Sequence, residues 1–310
     1  MSKLTLLDLA KASGNDKIIG LIEENLTYAP EFKVVPARTI KGTTYKTLTR
    51  TGFPSVGFRT VNSGVTPSKS TFKEQLVQAF LFGGRVEIDK GLLQASEDGE
   101  DYLKSVEASG VMQQSLITIG SQFYYGDVAT SGFPGLQSLV DSGLVHSATG
   151  SSAGAGTSVY GVKFGPQAVQ FVLGGGEVLA LSPFREETLV DADGKKFPGE
   201  VADLSGWIGL QSVSKYAIGR ICNITTQTDK GLTDSLVAEW LAKFPVGYRP
   251  DALFMNRVSA FQLQKSRSTV NAVGKKTSEG SENWAPAPTE SNGVPITVTD
   301  SIVSTEAIVA

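Results

Sequence analysis

The chain has 310 residues, 40% of them hydrophobic, enough for a sizeable core in one or two domains. Its formal charge of −3 argues against a dedicated nucleic-acid binder, which carries a basic surplus. One histidine (His146) and one cysteine (Cys222) exclude an intramolecular disulfide and any multi-histidine or four-cysteine metal site within one chain.

The average charge hides a segregation. From Phe32 to Lys73 stand eight basic residues (Lys33, Arg38, Lys41, Lys46, Arg50, Arg59, Lys69, Lys73) and no acid, leaving 20 basic against 31 acidic residues, a charge of −11, elsewhere. Glycine is frequent at 34 residues and proline modest at 13, which suits turns and strands rather than a helical bundle. The opening MSKLTLLDLAKASGND lacks the apolar run of a secretory signal, and no stretch reaches transmembrane length. These features predict a soluble protein made in a cytoplasm.

In chain order, Leu4–Lys11 and Asp16–Leu26 read as two short helices separated by Ser13-Gly14-Asn15. Pro30 and Pro36 then predict an extended run. Lys46 to Asp89 reads as a long hairpin. Its first limb contains Val56-Gly57-Phe58-Arg59, its second runs from Phe72 to Ile88, and Asn62 to Ser70 forms a polar tip. Limbs of about 12 residues reach roughly 40 Å. A two-stranded ribbon of that length is unstable alone in water, so it must lie on something. Gly83-Gly84 is expected to be a bulge or the bend where the ribbon rejoins the body.

Ser96 to Gly126 is the longest helical pattern. It opens on Glu97, Asp98, Glu100 and Asp101, acids that suit a helix N-terminus. Ala108, Met112, Leu116, Ile119 and Phe123 then form an apolar stripe, and Gly126 stands at the C-terminal cap. About 25 residues give a spine of roughly 38 Å. Phe133-Pro134-Gly135-Leu136 turns into a less regular region, and Gly150–Ser158 is a flexible loop lacking the Gly-Lys-Ser/Thr ending of a phosphate cradle. Gly174-Gly175-Gly176 is expected to turn a hairpin between Ala168–Leu173 and Val178–Leu181, and Asp191–Gly194 to form a type I turn. Trp207–Ile224 holds two strand-like runs. Leu232–Lys243 is an amphipathic helix capped by Thr233; Ala252–Met255 is a strand, and Asn256–Lys265 a helix. Ser266–Asn292 reads as a loop and Val294–Thr299 as the closing strand. His146 lies away from any nucleophile-elbow motif, and nothing singles out a catalytic carboxylate pair among the acids.

The segments TLTRTGFPSVGFRTVNSGVTPSKSTF, FGGRVEIDKGLLQ, the spine, and GSQFYYGDVATSGFPGLQSLV, in that succession, resemble a tailed-bacteriophage major capsid protein. The likeness is strongest from Leu4 to Leu139. It implies an α+β, Hong-Kong-97-type fold: residues 1–45 an N-terminal arm, 46–91 an extended hairpin or E-loop, 92–140 with 293–310 a peripheral domain on the spine helix, and 141–292 an axial domain. It implies a structural subunit and no enzyme, with no catalytic, cofactor or metal site. Such a subunit assembles with itself into pentamers and hexamers of an icosahedral head enclosing double-stranded DNA. A scaffolding protein is expected to be encoded separately, because only about 45 residues precede the hairpin and none form a long coiled-coil stretch. A portal protein, a decoration protein and weak lumenal contact with the packaged DNA complete the expected partners, with no membrane. The implied location is the virion capsid, after synthesis in a bacterial cytoplasm. In some relatives a hairpin lysine forms an isopeptide cross-link; Lys69, the lysine of the hairpin tip, is the candidate for that role here, with a solvated tip lysine as the alternative and no partner asparagine or glutamate identified. Two other readings stand beside this one: the shell of a bacterial nanocompartment (encapsulin-like), which shares the fold, and an α/β enzyme with an acidic site.

The charge segregation names the expected contacts between subunits. Arg50, Phe53, Phe58, Arg59, Lys69 and Lys73 would lie against Glu97, Asp98, Glu100 and Asp101 of a neighbour, with Glu186, Glu187 and Asp191 as further acceptors. Val56, Phe72 and Phe80 would add apolar burial. Each exposed pair contributes only about 0.2–1 kcal/mol but recurs in every subunit. Arg59→Glu is therefore expected to block or loosen assembly of a folded subunit, and a Glu→Arg change on the acidic side to restore it in part. Particles that form normally and differ only in DNA retention would refute this contact.

Overall fold

A computed structural model describes residues 29–128, 132–175, 179–271 and 285–309. The two helices expected before Leu26 lie outside the described residues. The first described element is a short helix, α1 (Glu31–Val34), which Pro30 opens with helical angles (φ −70°, ψ −9°) rather than the extended ones expected of it. A proline's fixed φ suits a first helical turn, where its missing N–H costs nothing. Pro36 does keep Val35 extended, and β1 (Ala37–Thr39) follows, paired in parallel with β7 (Val169–Gly174).

The first sheet is built on one long strand, β10 (Lys196–Ser212). One edge takes β4 (Phe80–Asp89) in unbroken register from Gly199↔Asp89 to Ile208↔Phe80. The other edge is shared end to end by β9 (Arg185–Val190), β8 (Ala180–Leu181) and β7. β7 and β8 do not form the expected hairpin: each pairs with β10 and not with the other, and Gly176 of the expected turn lies outside the described residues. Gly83 and Gly84 are neither a bulge nor a bend, since the β4 register runs straight through them. Asp191 does make the expected turn, its carboxylate accepting from the N–H groups of Asp193 and Lys195 at 2.9 and 2.8 Å.

The second sheet has the order β13 (Glu290–Ser291), β14 (Val294–Val298), β12 (Ala252–Met255), β6 (Thr157–Val162), β11 (Ile218–Ile224), β5 (Val145–Ser147). One of its helices, α5 (Asp234–Leu241), is capped by the Thr233 hydroxyl, which accepts from Leu236 N at 3.2 Å. Its Trp240 is fully buried, its indole N–H donating to Leu144 O at 2.9 Å. The ring lies on two glycines paired across β6 and β11; a Cβ would come within 2.3 Å of it at Gly161 and 2.7 Å at Gly219. The other helix, α6 (Arg257–Asn271), runs six residues beyond the expected end at Lys265, because no proline or glycine stops it there.

The spine helix, α3 (Glu100–Tyr125), begins at Glu100 rather than Ser96, after Gly99 takes a φ of 93° that an L side chain rarely adopts. Its buried face differs from the expected stripe. Leu103, Ser115, Ile119 and Phe123 face inward, while Leu116 is 41% exposed. Ser115 can be buried because its hydroxyl donates to Val111 O at 2.6 Å, leaving Leu116 to turn outward. At its C-terminal end Phe123 packs on Phe171 of β7 at 5.2 Å between ring centres, and Tyr124 on Tyr160 of β6 at 5.4 Å. One aromatic cluster thereby joins the spine to both sheets.

The C-terminal segment is fastened to that junction. Buried Arg220 donates to Ser158 Oγ and to Glu306, each at 2.9 Å, and Tyr125 OH donates to the other Glu306 oxygen at 2.6 Å. Burial and the neighbouring Glu306 carboxylate push the Tyr125 phenol far above its usual range. Asn223 grips the Val309 backbone on both sides, accepting from its N–H and donating to its carbonyl, each at 2.8 Å. Removing one member of the buried pair strands the other. Arg220→Met should cost about 3–5 kcal/mol in urea unfolding of the unassembled subunit, and the double change Arg220→Met/Glu306→Leu much less. Equal losses would show that the stranded charge is not the cause.

Candidate functional site: the basic ribbon and its acidic counterpart

The basic segment forms a separate two-stranded ribbon, β2 (Thr44–Gly52) against β3 (Thr71–Gln78). Its limbs are shorter than expected. Val56-Gly57-Phe58-Arg59 is not strand but part of an exposed loop, residues 53–70, and the second limb divides at Ala79. There Ala79 N donates to Thr43 O at 2.8 Å, pinching the ribbon shut, and β4 passes into the first sheet. Nine residues at 3.3 Å make the ribbon roughly 30 Å long. Phe80, expected to give the ribbon apolar burial, instead packs on the main core from β4.

Among the described residues, the body of the chain holds the ribbon at its root. The Tyr45 hydroxyl donates to Gln211, whose side chain is fixed by Gln170 and Pro166 O, both at 2.7 Å. Gln75 Nε2 donates to Ser212 O at 2.8 Å, and Val77 is buried. Burial raises the Tyr45 phenol above its usual range. These contacts lie on the odd-numbered face. The even-numbered face carries Leu48, Phe72 and Leu76, which remain 63%, 52% and 60% exposed. In the loop beyond, Phe53, Val56 and Phe58 are almost wholly in solvent. Large apolar side chains left uncovered on one unpartnered surface mark an interaction site.

The charges are less free than their number implies. Lys46 pairs across the ribbon with Glu74 at 3.2 Å. Arg38 lies over the Tyr45 ring at 5.0 Å, and Arg50 over Phe53 and Phe72 at 5.6 and 5.4 Å. Arg59 donates to Ser63 O at 3.0 Å within its own loop. Lys69 and Lys73 are exposed and have no ion-pair partner among the described residues.

On the acidic side, Glu186 is engaged by Lys90, and Glu187 by Arg85 at 3.0 Å and Arg185 at 3.5 Å. Asp191 is committed to its turn. Those three acceptors are thus already in use within one chain. Glu100 faces Lys104 at 3.8 Å, but that lysine bonds more closely to Glu200, at 2.7 Å, which chiefly raises its pKa. Glu97 and Asp101 stand exposed at the start of the spine, with Asp98 half-buried between them. No ion pair joins these four acids to the ribbon within the chain, among the described residues. No local pattern signals the Tyr45–Gln211 root, because the two residues lie 166 positions apart.

Among the described residues no three metal-ligating side chains cluster, and no helix is long and apolar enough to cross a membrane. His146 stands 3.8 Å from Glu239; burial, then Lys243, lowers its pKa.

A family model described as major capsid protein GP7 matches residues 14–310. Comparison with curated protein sequences returns no match. Among solved structures, the bacteriophage Epsilon15 structure aligns over 100% of this chain and 98% of its own, at 19% identity and a TM-score of 0.79. The bacteriophage JBD30 capsid aligns over 97% and 99%, at 11% identity and a TM-score of 0.50. The SrpI encapsulin complex from Synechococcus elongatus PCC 7942 covers 73% of this chain at a TM-score of 0.48, too slight a likeness to carry an argument. The mixed helix-and-sheet fold is of the Hong-Kong-97 type.

Because Arg59 also ties its own loop, Lys73 isolates the effect of charge. Lys73→Glu should weaken self-association and flatten its dependence on salt, whereas Lys46→Gln, which disturbs only an internal pair, should change little. Light scattering across a sodium chloride series distinguishes them. Equal effects of the two changes would contradict the assignment.

Proposed function

The chain belongs to the major capsid protein GP7 family, and on that premise we propose that it is the coat subunit of a tailed-phage head, closing into pentamers and hexamers of an icosahedral shell around double-stranded DNA. The observation that carries this reading is the ribbon, whose even-numbered face (Leu48, Phe72, Leu76) and tip loop (Phe53, Val56, Phe58 among others) leave large apolar side chains uncovered by the chain's own body. A second copy supplies the missing cover. The free lysines Lys69 and Lys73 then meet Glu97, Asp98 and Asp101 at the start of the neighbour's spine, while Glu100 divides itself between that contact and Lys104.

Such head-to-tail contacts are heterologous, and rotation decides whether five or six copies close a ring. Each contact is weak, and the shell is strong through their number. The work of the protein is assembly and not turnover. In this reading residues 1–45 serve as an arm, 92–140 with 293–310 as the peripheral domain and 141–292 as the axial domain, and of the expected hairpin 46–91 the part up to Gln78 projects while β4 belongs to the first sheet. A separate scaffolding protein, a portal and a decoration protein complete the head, and the packaged DNA makes weak lumenal contact only.

Negative-stain microscopy of the purified chain, with ultracentrifugation alongside, tests the proposal. Rings or closed shells of one size are expected. A compact monomer that persists at concentrations where coat proteins assemble would overturn it.

A further inference from the structure

Where the ribbon gives way to the tip loop, its register slips. Arg50 faces Phe72, but Gly52 faces Thr71, so Thr51 is an extra residue on one strand: a bulge, which bends and twists a ribbon. The Thr51 hydroxyl donates to Thr71 Oγ1 at 3.2 Å, and a Cβ on Gly52 would stand only 2.5 Å from that same oxygen. At this point the Arg50 guanidinium lies over the rings of Phe53 and Phe72, one at the start of the loop and one on the returning strand. Beyond it, the Ser68 hydroxyl donates to Ser55 O at 3.1 Å, tying the two arms of the loop together. Phe53 is 82% exposed, so the loop's direction is set here by the ribbon's own side chains.

We propose that Arg50 is a positioning residue for assembly: its guanidinium, laid over Phe53 and Phe72 at the Thr51–Gly52 bulge, sets the angle at which residues 53–70 leave the ribbon. The inference rests on the reading that this loop meets a second copy, and it assigns Arg50 a different task from a charge partner. A loop of this length loses considerable freedom when it docks. Ordering it beforehand lowers the entropy lost on association. The planar, weakly hydrated guanidinium can lie flat on aromatic rings, which an ammonium cannot do in the same way. In this position charge matters less than shape.

Two substitutions separate the two roles in the full-length chain. Arg50→Lys keeps the charge and loses the flat contact; Arg50→Met loses the charge and keeps a side chain that packs on aromatic rings. We expect Arg50→Lys to weaken self-association roughly five- to thirty-fold, as two lost ring contacts imply, and Arg50→Met to weaken it less. Hydrogen exchange of amides 53–70 in the unassembled subunit should quicken in Arg50→Lys while its urea midpoint stays at that of the parent. An Arg50→Lys subunit that assembles normally, beside an impaired Arg50→Met, would overturn the proposal in favour of a plain ionic contact. Unchanged exchange in residues 53–70 of the lysine variant would also overturn it. Phe58→Ser tests the underlying reading separately: normal assembly of that variant removes the tip contact, while the exchange data still judge the ordering role of Arg50.

Discussion

A two-stranded ribbon cannot bury two faces at once within one chain, and the rest of this structure follows from that constraint. Near its root the ribbon has a body to rest on, where Tyr45, Gln75 and Val77 are held by β10 and its neighbours. Farther out, Leu48, Phe72 and Leu76 have no such support. Fully covering one such side chain is worth about 1.5–3 kcal/mol, so leaving several exposed is costly unless another surface covers them. The two strands are also short of the three or more needed for independent stability. The ribbon therefore presents a face that only another surface can cover, and in the proposed function another copy of the chain takes that part.

What could be read from the residues depended on how local the determining interactions were. The spine was legible because its acids, its long proline-free run and Gly126 act within a few positions of each other. Its inward face was right at Ile119 and Phe123 but wrong at Leu116, because the competing polar residue, Ser115, satisfies its hydroxyl on the preceding turn and can be buried. Thr233 and Trp240 were legible for the same local reasons. The hairpin expected of β7 and β8 is absent because β10 is long enough to pair with three successive strands, which no local pattern reports. The paired glycines beneath Trp240 went unnoticed because they matter only when β6 and β11 lie side by side.

The basic segment teaches a narrower lesson about counting charges. Eight cations without an acid invite a purely electrostatic account. The folded ribbon assigns several of them elsewhere: Lys46 to Glu74 across the strands, Arg38 and Arg50 to aromatic rings, and Arg59 to its own loop. The acidic side is thinned in the same way, since Glu186 and Glu187 serve internal pairs. What remains for a neighbour is a small number of lysines and acids on an apolar surface. Exposed pairs of this kind contribute little to affinity, but they penalise wrong partners and wrong registers. Like charges along the free ribbon likewise oppose pairing between two ribbons, whose exposed edges would otherwise invite it.

A shell that places one chain in rings of five and of six must absorb a change of angle somewhere. The junction of the spine with both sheets is a poor place for it. Phe123, Tyr124, Tyr160, Phe171 and Phe254 interlock there, and the Arg220–Glu306 pair binds the C-terminal segment beside them. Interiors packed at crystal-like density do not deform by degrees; they hold one arrangement or switch to another. The pinch at Thr43 and Ala79 is different, because no such aromatic cluster spans it: the Ala79–Thr43 and Gly175–Gly42 backbone bonds, buried Val77 and the Tyr45 and Gln75 contacts set the ribbon's angle to the body. Rotation about that root carries the tip through a large arc for small dihedral changes, and the body stays intact. The ordered neck at Arg50 belongs to the same scheme, since a lever transmits an angle only if its far end is stiff. A change of angle taken up at the root would leave the packed junction on one side and the Arg50 neck on the other as they are.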